Sequence, residues 1–321
     1  MAVNRDKPDR WKKDIALSVD LYNDWFLKFA PGAFRDTRLR TTREVEASLK
    51  ATDNLTNIRP EVLRENPGIL ASLRMSTCPP IAKDRLIGLA RVPKSMVARM
   101  EEGKLPLKLK SEQLDAEIVK ITKIIQEMAD PDIFTWLERK QPPTLEEIHR
   151  AATIVADRLC GATANPIIRN AQEERQLRII GEWLKARGYK PIPSGSGIKF
   201  DTMPRGTYGF HINVPARFKQ KSGGTDNIPI DVAIMRKGAT LRTLPLLIEA
   251  KSAGDFTNVN KRRKEEAMKI ALLRRTYGAK KVEYLLFLCG YFDSGYLGYE
   301  AAEGIDWVWE HRIDDLAEFG V

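Results

Sequence analysis

The residues best suited to chemistry lie in the stretch IPIDVAIMRKGATLRTLPLLIEAKSAGDFTN, from Ile228 to Asn258. Asp231 stands near the start of one apolar run, Ile230 to Met235. Glu249 and Lys251 follow a second, Leu244 to Ile248. Each run has the length and aliphatic content of a buried strand. Side chains alternate along a strand, so Glu249 and Lys251 point to the same side. If the runs pair as a hairpin, Asp231 lies beside them. Two carboxylates and an ammonium then converge where an apolar strand ends. Carboxylate oxygens, with the Ala250 carbonyl as a third donor, suit a hard divalent cation. The ammonium suits an anion held next to it. The Glu-x-Lys triplet alone carries nothing, since Glu102-Gly103-Lys104 and Glu138-Arg139-Lys140 repeat it. Only the one at Glu249 ends an apolar strand that follows an acidic one. The competing reading is a surface ion pair at a strand end.

The elements that position these residues form a mixed pattern after Gly161. A helix is predicted over Pro166 to Gly188. Strands are predicted at Tyr189 to Ile192, Gly197 to Asp201 and Tyr208 to Val214, then at the two runs above. A helix over Asn258 to Tyr277 follows, then a strand at Val282 to Cys289. An aromatic, glycine-rich segment comes next, with a last strand at Ile305 to Trp309 and a closing helix at Asp314 to Phe319. A strand–helix–strand crossover of this kind pairs its strands in parallel. The predicted class is α/β (α+β), a mixed central sheet flanked by helices, over residues 164–321.

Residues 1–163 read as a helical domain. Ile15, Val19, Leu21, Tyr22, Trp25 and Phe26 share one face of a helix from Asp9 to Ala30, with Pro31-Gly32 as its stop. Further helices are predicted over Thr42 to Ala51, Ser111 to Ala129 and Thr144 to Leu159, with shorter ones between. The segment PIAKDRLIGLARVPKSMVARMEEGKLP resembles the helix-turn-helix of phage-repressor-like proteins, which implies Lys94, Ser95 and Arg99 as readers of DNA. A helical hairpin that packs its own domain is the alternative.

Bulk composition narrows the classes. A net charge of +10 favours polyanionic partners. No apolar run approaches the length of a membrane span, and the charged N-terminus has no signal-peptide core. Cys78, Cys160 and Cys289 make no ligand pair and read as small buried residues of a reducing compartment. The cytoplasm is the expected location. Three histidines, His149, His211 and His311, exclude an HExxH zinc helix and a histidine-rich metal centre. No P-loop is present.

Asp231 beginning one strand and Glu249-Ala250-Lys251 ending the next resemble the PD-(D/E)xK nuclease fold, with Pro229-Ile230-Asp231 holding one residue between the proline and the aspartate. NPIIRNAQEERQ, IPIDVAIM, LLIEAKSAGDFTN, NKRRKEEA and LCGYFDSGYLGYEAAEGIDWVWEHRIDDL resemble, further, the XamI family of type II restriction endonucleases. So do NRDKPDRWKKDI and ATDNLTNI near the N-terminus. The resemblance implies magnesium-dependent, site-specific cleavage of double-stranded DNA, with manganese as a substitute and 5′-phosphate ends. It implies catalytic Asp231, Glu249 and Lys251, with Asp231, Glu249 and Ala250 on the metal. Glu173 would be the acidic residue of the leading helix, with Glu174 as the open alternative. Lys261, Arg262, Arg263 and Lys264 are predicted to anchor phosphates, and the stretches Arg217 to Asn227 and Asp293 to Glu303 are candidate loops for base contacts. A homodimer and a partner DNA methyltransferase complete the expectation. A repair or recombination nuclease of the same fold, a non-cleaving helix-turn-helix regulator and a basic structural protein are the other readings.

Overall fold

The computed structural model describes residues 2–321 apart from 108, 140, 194, 218–224, 242 and 257–258. Within its strands and helices the side chains of 217, 225, 226 and 259–263 also lie outside the described residues. The chain falls into two compact units, residues 30–168 and residues 1–29 with 169–321.

Residues 30–168 are built from helices. They take part of α1 (Pro8–Ala51), then α2 (Pro60–Glu65), α3 (Leu70–Met75), α4 (Lys83–Ala90), α5 (Lys94–Glu101), α6 (Ser111–Met128) and part of α7 (Leu145–Ala186). In α6 the spacing of Leu114, Ile118, Ile121 and Ile125 puts four buried side chains on one face. They share a core with Leu86 of α4 and Met96, Val97 and Met100 of α5. The α4–α5 hairpin is therefore packed into its unit. Its turn places Arg91 in the left-handed region at φ 53°, where glycine would be commoner.

Two helical breaks expected from proline do not occur. Pro31 lies inside α1 and Pro166 inside α7. An interior proline removes one hydrogen bond and crowds a carbonyl at a cost of about 3 kcal/mol. Tyr22 and Ala30 before Pro31 and Val45 and Leu49 after it are buried, and packing of this kind, rather than local propensity, supplies most of a helix's stability.

The other unit carries one six-stranded sheet in the order β1 (Lys190–Pro191), β2 (Thr207–Arg217), β3 (Thr225–Met235), β4 (Leu246–Ala253), β5 (Tyr284–Gly290), β6 (Asp306–Trp309). Strands β2, β3 and β4 are antiparallel neighbours; β1–β2, β4–β5 and β5–β6 are parallel. The hairpin and the parallel crossover read from the sequence are both present, the crossover being α8 (Val259–Tyr277). Leu177, Ile180 and Leu184 of α7 cover one face with Val232, Ile248 and Phe287. Ile270 and Leu273 of α8, with Leu297 of α9 (Ser294–Ala302), cover the other with Leu247, Leu286 and Leu288.

Some local expectations are corrected. Residues 197–201 form no strand; Phe200–Thr202 is a short 3-10 turn. The glycine-rich segment after Tyr291 contains α9, because Asp293 caps it by accepting from the Tyr296 N–H at 2.7 Å. The closing helix expected over Asp314 to Phe319 is present as a 3-10 element that begins earlier, Glu310–Phe319. Cys160 and Cys289 are buried but Cys78 is exposed. Residues 1–29, read from the sequence with the helical domain, pack on the sheet unit. The Asp306 carboxylate accepts from the Val3 and Asn4 N–H groups, and Ser18 Oγ accepts from the Gly290 N–H at 2.8 Å. Among the described residues no helix is long and apolar enough to cross a membrane.

Gly290 ends β5 at φ 99°, and a Cβ there would lie 2.1 Å from the Ala253 carbonyl oxygen. That oxygen accepts from the Tyr291 N–H, so it cannot simply withdraw. Gly290→Ala should lower the thermal unfolding midpoint, costing roughly 1–3 kcal/mol or more; differential scanning calorimetry against the parent would show it.

Candidate active site

The ladder between β3 and β4 pairs Ile234 with Leu246, Ala233 with Leu247 and Val232 with Ile248, and stops there. The next pair in register is Asp231 and Glu249. Beyond that point β4 stays paired to β5 as far as Ala253 while its other edge is released. The Ala250 N–H donates instead to Asp231 Oδ2 at 2.8 Å. A side chain thus replaces a backbone partner, and the carboxylate is fixed at the fork between the two strands.

Glu249 is only 3% exposed. Its Oε1 accepts from Lys251 Nζ at 3.0 Å and from Lys269 Nζ of α8. Its Oε2 is buried with no hydrogen-bond partner among the described residues. Leaving such an oxygen bare costs about 1–3 kcal/mol or more for a charged group. An arriving cation would remove that cost.

Glu173 reaches the same place from α7. Gln172 donates to Ser252 Oγ at 3.0 Å and Gln176 to the Lys251 carbonyl at 3.4 Å, which pins this helix face to β4. Glu173 lies between them in sequence and Glu174 is exposed. One ligand atom each from Glu173, Asp231 and His211 lies within 4.8 Å of the others. His211 Nδ1 is 3.9 Å from Glu173 Oε1. His211 faces Asp231 across β2 and β3, between the pairs Phe210–Val232 and Ile212–Ile230. It stands in the left-handed region at φ 51°. The strands change sides here: Tyr208 and Phe210 pack on the α7 face, Ile212 and Val214 on the α8 face.

The sequence reading missed His211, Glu266, Lys269 and Gln176. His211 was within reach of it, since pairing Val232 with Phe210 sets it against Asp231. Glu266 and Lys269, three apart on α8, were obscured by the basic run just before them. Of that run Lys264 is exposed, and the side chains of Lys261, Arg262 and Arg263 lie outside the described residues. In the other unit Lys94 and Ser95 are exposed on the first turn of α5. Arg99 is half-buried and donates to the Leu105 carbonyl at 3.1 Å. The stretch 293–303 is no loop, and Phe292 and Tyr296 beside and within it are buried. Most of 217–227 lies outside the described residues.

The XamI restriction endonuclease family matches residues 53–309. The chain belongs to that family. It is also 52% identical over 321 residues, 99% of each chain, to "Type II restriction enzyme SalI" from Streptomyces albus G. No solved structure matches. The protein is thus a type II restriction endonuclease, a hydrolase that cuts DNA site-specifically. Enzymes of this type generally use a divalent metal, and the donor set fits one: hard carboxylate oxygens at a fork, one of them buried and bare.

The electrostatics of the endonuclease agree. Burial pushes the Asp231 carboxyl up, Glu249 adds to this, and the Ala250 N–H and Lys251 oppose it, leaving it at about 6. Burial presses Lys251 down, but Glu249 and Glu266 outweigh that and its pKa is raised. Lys251 is an ammonium at neutral pH.

A carboxyl raised from about 4 to about 6 stabilises the fold fully below pH 4, and that contribution is lost as pH rises to 6. Above pH 6 the metal-free enzyme bears the cost of an ionised Asp231. Asp231→Asn keeps an acceptor for the Ala250 N–H and removes the charge. It should stabilise the metal-free protein by about 1–3 kcal/mol at pH 8 and by almost nothing at pH 4. Urea unfolding in chelator at the two pH values checks the sign.

Proposed function

We propose that the endonuclease hydrolyses both strands of duplex DNA with magnesium, for which manganese substitutes, at a centre made by Asp231, Glu249 and Lys251. The observation that carries this is the fork: Asp231 in register with Glu249, a bare buried Glu249 Oε2, and the Lys251 ammonium 3.0 Å from Oε1. Asp231, Glu249 and the Ala250 carbonyl would hold the ion, with Glu173 beside Asp231 serving a bound water or a second ion. When bound, the ion neutralises charge on the scissile phosphate and makes water a stronger acid. Lys251 keeps its proton among carboxylates, so it orients the attacking water and stabilises charge on a phosphate oxygen rather than acting as base. Water attacks phosphorus and gives up one proton to solvent, the P–O3′ bond breaks, the 3′-oxygen takes a proton and leaves as a 3′-hydroxyl, and the 5′-phosphate remains on the downstream strand.

The wider roles follow from the same reading. The sheet unit, residues 1–29 with 169–321, would be the nuclease body, and the helical residues 30–168 would serve recognition and dimerisation. Cutting both strands of a palindromic site favours a two-fold homodimer. A cognate DNA methyltransferase would protect host DNA, and the enzyme would act in the cytoplasm. Lys94, Ser95, Arg99 and the run from Lys261 to Lys264 contact DNA.

Digestion of unmethylated plasmid with and without magnesium is the direct test, with discrete fragments as the expected product. Alanine at Asp231, Glu249 or Lys251 should reduce cleavage by about 10³-fold or more and leave binding in calcium largely intact. Full-rate cleavage by Lys251→Ala would falsify its role. Lys264→Ala should weaken binding to every sequence alike and reduce the salt slope of log K by about one; titration at several salt concentrations reads both.

A further inference from the structure

We propose that Glu266 is a positioning residue for the Lys251 ammonium, a second carboxylate that retains the lysine when Glu249 turns to the cation. The inference rests on the catalytic reading of Lys251 given above. Glu266 projects from α8 and is 1% exposed. Its Oε2 accepts from the Tyr296 hydroxyl at 2.7 Å, its Oε1 lies 3.6 Å from Lys251 Nζ, and the Glu300 carboxyl, raised to about 8 by burial and by Glu266, neighbours it. Among the described residues Lys251 is the one cation within 4 Å of it.

Glu249 faces a double demand. Its Oε1 already serves two ammonium groups, Lys251 and Lys269, and its Oε2 is the bare oxygen at the fork. With a divalent ion held by Glu249, that carboxylate would attract the two lysines less and the ion would repel them. With Glu249 as sole counter-charge, Lys251 would be released from the site when it is needed there. Glu266 lies 3.6 Å from the same ammonium but on a different element, α8, and is not among the residues assigned to the ion. Tyr296 fixes it from behind, and α9, which carries Tyr296, is fixed in turn by the Asp293 cap.

The placement is too costly for packing alone. A carboxylate buried between two helices is destabilising without a charged partner, and an apolar or amide side chain of similar size would fill the same space. Satisfying the Tyr296 hydroxyl does not require charge either, because glutamine offers an acceptor oxygen of the same reach. What glutamine does not offer is attraction for the ammonium. Glu266→Gln therefore separates the two roles.

The test uses the full-length enzyme and a duplex fragment that the parent cuts once. Single-turnover cleavage in magnesium and binding in calcium are measured for the parent, Glu266→Gln, Glu266→Asp and Lys251→Ala, with thermal melts of each. The expected result for Glu266→Gln is a fall of about 10–100-fold in the cleavage rate, with DNA affinity and melting midpoint unchanged. Glu266→Asp, which keeps the charge, should recover part of the loss. Parent-like cleavage by Glu266→Gln, while Lys251→Ala is inactive, overturns this inference and leaves the catalytic reading standing. Full activity in Lys251→Ala overturns both. Should Glu266→Gln melt below the parent, Tyr296→Phe decides. It leaves the charge but frees Glu266 Oε2, so a slower rate at unchanged affinity supports the proposal and a parent-like rate overturns it.

Discussion

The architecture of the site depends on one backbone N–H. Where the β3–β4 ladder ends, the Ala250 N–H donates to the Asp231 carboxylate instead of to a strand. This single exchange keeps the fork narrow enough for Asp231 and Glu249 to face each other. It also keeps Asp231 from turning away, although burial beside another carboxylate disfavours its charge. Strand β4 can afford a free edge because its other edge is paired with β5 through Ala253. The parallel half of the sheet is thus the rigid support, and the antiparallel half supplies the opening.

The charges around the fork form a graded series. Asp231 is half-buried, with a ligand atom each of Glu173 and His211 within 4.8 Å; Glu249 is enclosed and shared between two lysines; Glu266, fully buried, lies 3.6 Å from Lys251. Beyond it the Glu300 carboxyl, pushed up to about 8 by burial and then by Glu266, is neutral at pH 7 and adds no further repulsion. Lys251 thus lies within 4 Å of two carboxyl groups, Glu249 and Glu266, and burial raises the Glu266 pKa against the opposing pull of Lys251 and the Tyr296 hydroxyl. Stability is sacrificed to hold like charges close, as expected where binding a cation is the purpose.

How much of this was legible follows from what each element depends on. Strands β3 and β4, the crossover α8 and β5 were readable because their apolar runs are short and bounded by turn residues. The triplet at Glu249 gained meaning only from that context. The register was readable in principle, and with it the pairing of Asp231 and Glu249. Long helices were harder. Pro31 and Pro166 carry local signals to stop, and the buried faces that override them involve contacts distant in sequence. The affiliation of residues 1–29 was hidden for the same reason, since Asp306 and Gly290 lie some 270 to 300 positions away. Glu266 and Lys269 look like ordinary solvated charges on a basic helix until β4 is placed beneath them.

His211 shows the limit most clearly. A regular alternation along Tyr208 to Val214 would put residues 208, 210, 212 and 214 on one face. The structure instead divides them between the two faces of the sheet at His211. A left-handed backbone at a residue with a side chain costs on the order of 1–2 kcal/mol, and glycine would relieve it. Histidine tolerates the region better than β-branched residues, which are the commonest strand formers. The reversal lets the outer parts of β2 and β3 cover the α8 face while their inner parts serve α7. Its pivot is the pair His211–Asp231, so the same turn that changes the faces delivers the carboxylate to the fork. A periodicity of two cannot reveal such a point, because the point is where that periodicity fails.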